Sequence, residues 1–356
     1  MIISSIDEIT QFKTIVEQLE ICCDFLEEDS IAKYRVSVIL LDNISEILLY
    51  RSCDQLFEQD NFLKWIIPQQ FPVSKKKRIK NFFDEKINII KSKQKISKKT
   101  SEILHISHKY RNDIYHHDKH NATTIGIIAK ILFNAVCDLL AETQCGIGPT
   151  TIGGYKEPFD WLSPYGLNTT SVDFLKASTI ISKSLKSRID IKLSEVSLIF
   201  CSDIESRIHK IKQLIADELP WKTPAEIDHI IKWFEFQENY PNLEDELSST
   251  YREYVYRIAQ GKPIAITPEQ LEELKENFQK EYRGKAMEYK QNIAFATIDK
   301  VMQEKKDLEN VQNIGKALCQ YFNLDQALSR LEYYIELAAL EWDRIVQREI
   351  DLRRGK

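Results

Sequence analysis

The sequence predicts an all-α protein: an N-terminal helical bundle followed by a second, mostly helical region. Three observations carry this. Gly and Pro number only ten each in 356 residues, which leaves few natural breaks. Leu, Ile, Lys, Glu and Asp dominate the remainder, a composition compatible with helix. Apolar residues recur at three- and four-residue steps, as in Ile6, Ile9, Phe12, Val16, Leu19 and Cys23, and no segment alternates as a β-sheet domain would. The chain is long enough to bury a large core as one large or two medium domains.

The first helix is expected over residues 5–28, where Ser5 and Glu8 have the spacing of a capping box. A second covers 30–58 and contains the apolar run VSVILLDNISEILLY, which suits the central helix of a bundle. The prolines of IIPQQFPVS at 66–74 interrupt the pattern. A basic helix follows over about 75–94, a histidine-rich helix over 98–118 and an apolar helix over 123–143. Residues 145–167 then collect five of the ten glycines and three prolines, the strongest boundary in the chain. They divide it into a bundle at 1–145, a connector at 146–167 and a helical C-terminal region of unassigned role at 168–356. The GIGPTTIGG stretch lacks a preceding strand and the full phosphate-loop pattern, so it reads as a connector. Beyond it helices are expected at 170–186, 190–218, 223–239, 242–260, 267–308 and 309–350, the last with a break near FNLDQ. Thr-Pro pairs at 223–224 and 267–268 supply helix starts.

Net charge is only −5, but it is unevenly spread. Residues 1–60 hold 13 acids and 4 bases, whereas 61–111 hold 14 bases and 3 acids. The basic block can face a polyanion or simply be a solvated face. Seven cysteines, without a Cys-x-x-Cys pair, read as reduced core thiols, which suits a cytoplasmic location. No N-terminal signal is recognised, no apolar run is read as long enough to span a bilayer, and no membrane partner is expected.

Five of the seven histidines, His105, His108, His116, His117 and His120, lie within sixteen residues. A helical wheel separates this region into two faces. Ile103, Ile106, Tyr110 and Ile114 form an apolar stripe that His117 continues. Opposite it stand His105, His108, Asn112 and His116, flanked by Arg111 and Tyr115, as one solvent-facing surface. Asn112 and His116 are four apart and can touch. Such a face suits a phosphodiester. An arginine fork pairs with phosphate oxygens, and a histidine moves protons near neutral pH. RNA carries its own nucleophile in the 2′-OH, so neither a metal nor another cofactor is expected.

Arg111-Asn112-x-x-x-His116 resembles the Arg-x4–6-His signature of HEPN domains, including the polar residue that often follows the arginine. HEPN domains are small helical bundles carrying the signature on a late helix, and the similarity covers roughly residues 1–145. The resemblance implies a metal-independent endoribonuclease of toxin–antitoxin or antiphage, abortive-infection type, working as a homodimer with two motifs in one cleft. It further implies that Arg111 contacts the scissile phosphate, that His116 is general acid or base and that Asn112 orients His116. Products would carry a 2′,3′-cyclic phosphate and a 5′-hydroxyl. An RNA or protein antitoxin is an implied partner. Some relatives have a tyrosine two residues after the histidine; Asp118 stands there in this chain.

Around that centre, Tyr115 is a candidate for base stacking or a dimer contact. Lys75, Lys76, Lys77, Arg78 and Lys109 are candidates for RNA phosphates. His108 and His117 are accessory candidates; His117 also fits the motif spacing but falls on the apolar side. Each has an ordinary counterpart: Arg111 in an ion pair with Asp118 or Glu102, Asn112 and His116 as polar surface residues, Tyr115 in packing. Two other functions stand beside the nuclease. One is a non-catalytic module for dimerisation, RNA binding or sensing. The other is a metal protein using the His105/His108, His116/His120 or His117/His120 pairs.

Overall fold

A computed structural model describes residues 6–116, 122–143, 159–167, 173–218 and 298–354. Side chains are further left undescribed at several helix positions, including 113–116. Among the described residues there is no strand, so the all-α class holds. The helices are α1 (Ile6–Glu27), α2 (Ile31–Leu63), α3 (Val73–Asn81), α4 (Phe83–Ser92), α5 (Lys98–His116), α6 (Ala122–Thr143), α7 (Phe174–Arg188), α8 (Leu193–Glu218), α9 (Ile298–Glu309) and α10 (Ile314–Arg353). A 3₁₀ turn at Asp160–Tyr165 precedes α7. The helices expected at 223–239, 242–260 and most of 267–308 lie outside the described residues, as do Ser5 of the capping box and residues 144–158 of the connector.

Chain contacts divide the protein into two compact units. The first holds residues 1–203 and 308–322; the second holds 204–307 and 323–356. The described end of the connector expected at 146–167, residues 159–167, packs with the first unit. It is no solvent loop: Phe159 and Leu162 are buried in the core, and the Trp161 ring lies 5.9 Å from that of Phe12. Next, α7 is fixed by Arg188, which pairs with Asp24 at 2.7 Å and Glu27 at 2.9 Å on α1.

In the first unit α2 is the central helix, packing on α1, α4, α5 and α6. Its core stripe includes Val38, Leu41, Ile44, Leu48 and Leu49. The partner helix α6 corrects one expectation from sequence. Thr124–Thr143 is long and apolar enough by length and composition to cross a membrane, yet 78% of that window is buried inside the protein. The helix spends its apolar surface on the bundle. Where α6 meets α2, Gly126 gives room to the Tyr34 ring. A Cβ on Gly126 would stand 2.7 Å from Cε2 of Tyr34. Alanine would gain about 1 kcal/mol of helix propensity. The overlap outweighs it, and we expect Gly126→Ala to destabilise by roughly 1–2 kcal/mol net, read as a lowered thermal midpoint.

The basic helix expected at 75–94 is two helices. Phe82 is extended, ending α3 and starting α4. The local charges favour this break. Arg78 and Lys80 lie in the last turn of α3, and Asp84 and Glu85 in the first turn of α4, so both helix dipoles are complemented. The loop between α2 and α3 is pinned at its base. Asp60 accepts N–H bonds from Gln70 at 2.7 Å and Phe71 at 3.2 Å, and the buried Phe71 ring meets Phe57 edge-on at 5.3 Å.

Burial alone would raise the Asp60 carboxyl, but the Gln70 and Phe71 donors and the Lys76 ammonium outweigh it and hold the carboxyl below its ordinary value of 3.8. A depressed folded-state pKa adds stability above the unfolded value, and that stability is lost as pH falls through the folded one. Asp60→Ala is therefore expected to lower stability at neutral pH and to flatten its decline below about pH 4. Urea unfolding at several pH values checks this; parallel acid limbs for both proteins would refute it.

Burial pushes the Cys22 and Cys53 thiols up to about 12 and Cys23 up to about 11, which makes them unreactive at neutral pH.

The second unit is fixed by charge as well as packing. Arg207 of α8 pairs with Asp325, Ser329 and Glu332 of α10. Asp325 explains why α10 runs unbroken through FNLDQ. Its poor helix propensity is offset by the buried ion pair, and neither Gly nor Pro occurs there to force a break.

Candidate functional site

The site is built on α5. In its N-terminal half Ser97 caps the helix by accepting the Thr100 N–H at 3.0 Å. Glu142 from the end of α6 accepts the Ser97 N–H at 3.0 Å. This anchors the start of α5 against α6. On the apolar side Ile103 and Tyr110 are buried, and the Tyr110 ring meets Phe322 of α10 edge-on at 5.4 Å.

The polar stripe differs from the open surface expected. His105 and His108 are half-buried against carboxylates on two neighbouring helices. His105 Nδ1 lies 2.7 Å from Asp84 on α4. His108 Nδ1 lies 2.9 Å and 3.2 Å from the two oxygens of Asp42 on α2, and its ring stacks on Phe83 at 4.0 Å. Because a carboxylate only accepts, Nδ1 of His108 carries the hydrogen, and Nε2 remains for another partner.

Asp42 is the centre of this group. Its side chain is only 4% exposed, and it faces Arg111 as well as His108. Arg111 Nε stands 3.5 Å from Asp42 Oδ2, an ion pair outside hydrogen-bond geometry, while 40% of the arginine side chain stays open to solvent. Its Nη1 donates to Asn112 Oδ1 at 2.9 Å. Neighbours in sequence do not ordinarily face each other on a helix. The long arginine therefore bends toward the Asn112 side, the side on which His116 follows four residues later. From Arg111 the backbone of His116 is about 7.5 Å along the axis and roughly 140° around, so this bend narrows the angular gap.

The ion-pair partner expected for Arg111 was Asp118 or Glu102; the structure supplies Asp42. Residue 118 lies outside the described residues, as do His117 and His120, and the side chains of Tyr115 and His116 are not described. Asn112 is engaged by Arg111. Among the described residues no group of three or more His, Cys, Asp or Glu is placed to hold a metal, and His105 and His108 address separate carboxylates.

The basic candidates are dispersed. Lys76 bonds Asn61 at 2.7 Å and lies 3.8 Å from Asp60. Arg78 pairs with Glu85, Lys75 lies over the Phe71 ring at 5.3 Å, and Lys77 is exposed on α3. Asp60 follows Asp42 by eighteen residues on the same helix, about 27 Å along its axis. Lys76, beside Asp60, therefore stands far along α2 from the Asp42 end that faces Arg111. Lys109 is on α5 itself, with its ammonium 5.2 Å from the Phe322 ring centre.

Sequence reasoning missed Asp42 and Phe83. Asp42 had a signal: it is the one acid in VSVILLDNIS, on the core stripe between Val38 and Ser45. A carboxylate placed among apolar positions requires a cationic or donor partner. No family model, curated protein or solved structure matches this chain.

Proposed function

We propose that the protein is a metal-independent endoribonuclease of the HEPN type, acting as a toxin or in antiphage, abortive-infection defence. The observation that carries the reading is the Arg111 guanidinium. It is held from below by buried Asp42 and sideways by Asn112, yet remains partly open, on the helix that places His116 one turn beyond Asn112. A guanidinium paired with a buried carboxylate and still accessible is the group a phosphodiester needs for charge stabilisation.

In this reading Arg111 binds a non-bridging phosphate oxygen. His116 takes the proton of the ribose 2′-OH or gives one to the departing 5′-oxygen. The 2′-oxygen attacks phosphorus, the P–O5′ bond breaks, and the products are a 2′,3′-cyclic phosphate and a 5′-hydroxyl. One histidine per chain serves one of these transfers; a homodimer pairing two motifs supplies both. His108, with Nδ1 held by Asp42 one turn before Arg111, is an accessory residue that shares the carboxylate with Arg111. An RNA or protein antitoxin would restrain the activity.

The test incubates wild type, Arg111→Ala and His116→Ala with cellular RNA in EDTA, then maps product ends. Cleavage by wild type alone, with cyclic phosphate ends, is the expected result. Intact RNA with inhibitor-free wild type, or normal cleavage by both variants, rejects the proposal and leaves a non-catalytic RNA-binding or dimerisation module.

A further inference from the structure

The loop joining α2 to α3 displays apolar side chains where a soluble surface would hide them. Phe62, Trp65, Ile66 and Val73 are 80%, 85%, 77% and 82% exposed, and Leu63 and Ile67 are exposed beside them. The projection is built rather than loose. Asp60 ties down the backbone of Gln70 and Phe71, Gln69 donates to Asn61 at 3.2 Å, and Ile66 and Ile67 N–H both bond Leu63 carbonyl oxygen. A fixed loop holding this much apolar surface in water marks an interaction site.

Its charge narrows the partner. Residues 61–83 contain six Lys or Arg and no Asp or Glu; Lys76, Arg78 and Lys80 pair with Asp60, Glu85 and Asp54 outside the segment, which leaves Lys64, Lys75 and Lys77 to face a partner. Two of these, with Lys93 at the α4 end, surround the base of the tip. Lys64 Nζ lies 5.1 Å from the Trp65 ring centre, and Lys75 and Lys93 lie 5.3 Å and 5.8 Å from that of Phe71. A convex apolar tip collared by cations matches an anionic bilayer, with side chains entering the acyl boundary and lysines at the headgroups. Phe62 and Trp65 offer stacking faces to nucleic-acid bases, but Leu63, Ile66, Ile67 and Val73 beside them do not, and a mixed aromatic and aliphatic tip suits an acyl layer better than a base. A second copy meeting tip to tip would oppose the same lysines across the two-fold axis.

We propose that this loop, with α3, is a peripheral docking element for negatively charged lipid surfaces. The binding is peripheral, so it needs no spanning segment, and it rests on no catalytic role. The test floats the full-length protein with phosphatidylcholine vesicles, with and without phosphatidylserine. Flotation is expected only with phosphatidylserine and should weaken as salt rises. Trp65→Ser/Ile66→Ser should abolish it, and Lys75→Glu/Lys77→Glu should weaken it by roughly tenfold or more. Since these side chains are exposed, circular dichroism and the thermal midpoint should match wild type. Brominated acyl chains should quench wild type more than Trp65→Phe. The proposal is overturned by absence of flotation with every vesicle, by flotation insensitive to the tip variants, or by variants that lose RNA retention while vesicle binding stays intact.

Discussion

Replacing His116 with alanine is expected to slow RNA cleavage by roughly 10²–10⁴-fold, the usual contribution of a positioned proton carrier. Single-turnover cleavage in EDTA measures it. Arg111→Ala should cost as much, and Arg111→Lys should recover little, because a point charge cannot reproduce the planar fork. The two losses should be far from additive if both side chains serve one phosphodiester. His117→Ala is the internal control. It shares the motif spacing but falls on the apolar side of the sequence's helical wheel, so its cleavage rate should stay within a few-fold of wild type. Loss of activity in His117→Ala with retention in His116→Ala would reassign the proton carrier by one residue.

The helices were legible in sequence wherever burial and helical period agree. The core stripe of α2, the apolar run of α6 and the buried side of α5 at Ile103 and Tyr110 all follow that rule. The departures have local causes. The break at Phe82 was hidden because no Gly or Pro marks it; reversal of charge between Lys80 and Asp84 was the available signal. The unbroken helix through FNLDQ was hidden because Asp325 and Asn323 weaken helix propensity, and only a partner distant in sequence, Arg207, makes the aspartate favourable. The histidine stripe illustrates the same limit. A wheel assigns angles within one helix but cannot know what lies across from each angle. Polar residues at His105 and His108 therefore looked solvent-facing, although α4 and α2 meet them with carboxylates.

Asp42 is where fold and proposed chemistry meet, and its removal should show in both. Asp42→Ala leaves an imidazole and a guanidinium facing an empty, largely dry site. A fully buried pair broken in this way costs roughly 3–5 kcal/mol. Here Arg111 reaches solvent, so about 2–3 kcal/mol is expected, read as a lower urea midpoint. Asp42→Asn keeps the shape and one acceptor and should be milder in stability. Its effect on RNA cleavage should still be large, about tenfold to a hundredfold, because Arg111 loses the charge that fixes its position. The combination with His108→Phe separates the two roles. If Asp42 acts mainly through His108, the double variant should be no worse than either single one. If it acts mainly through Arg111, adding His108→Phe should lower stability further while leaving the cleavage rate of Asp42→Asn unchanged. Wild-type stability and activity in Asp42→Ala would remove this carboxylate from the account of both.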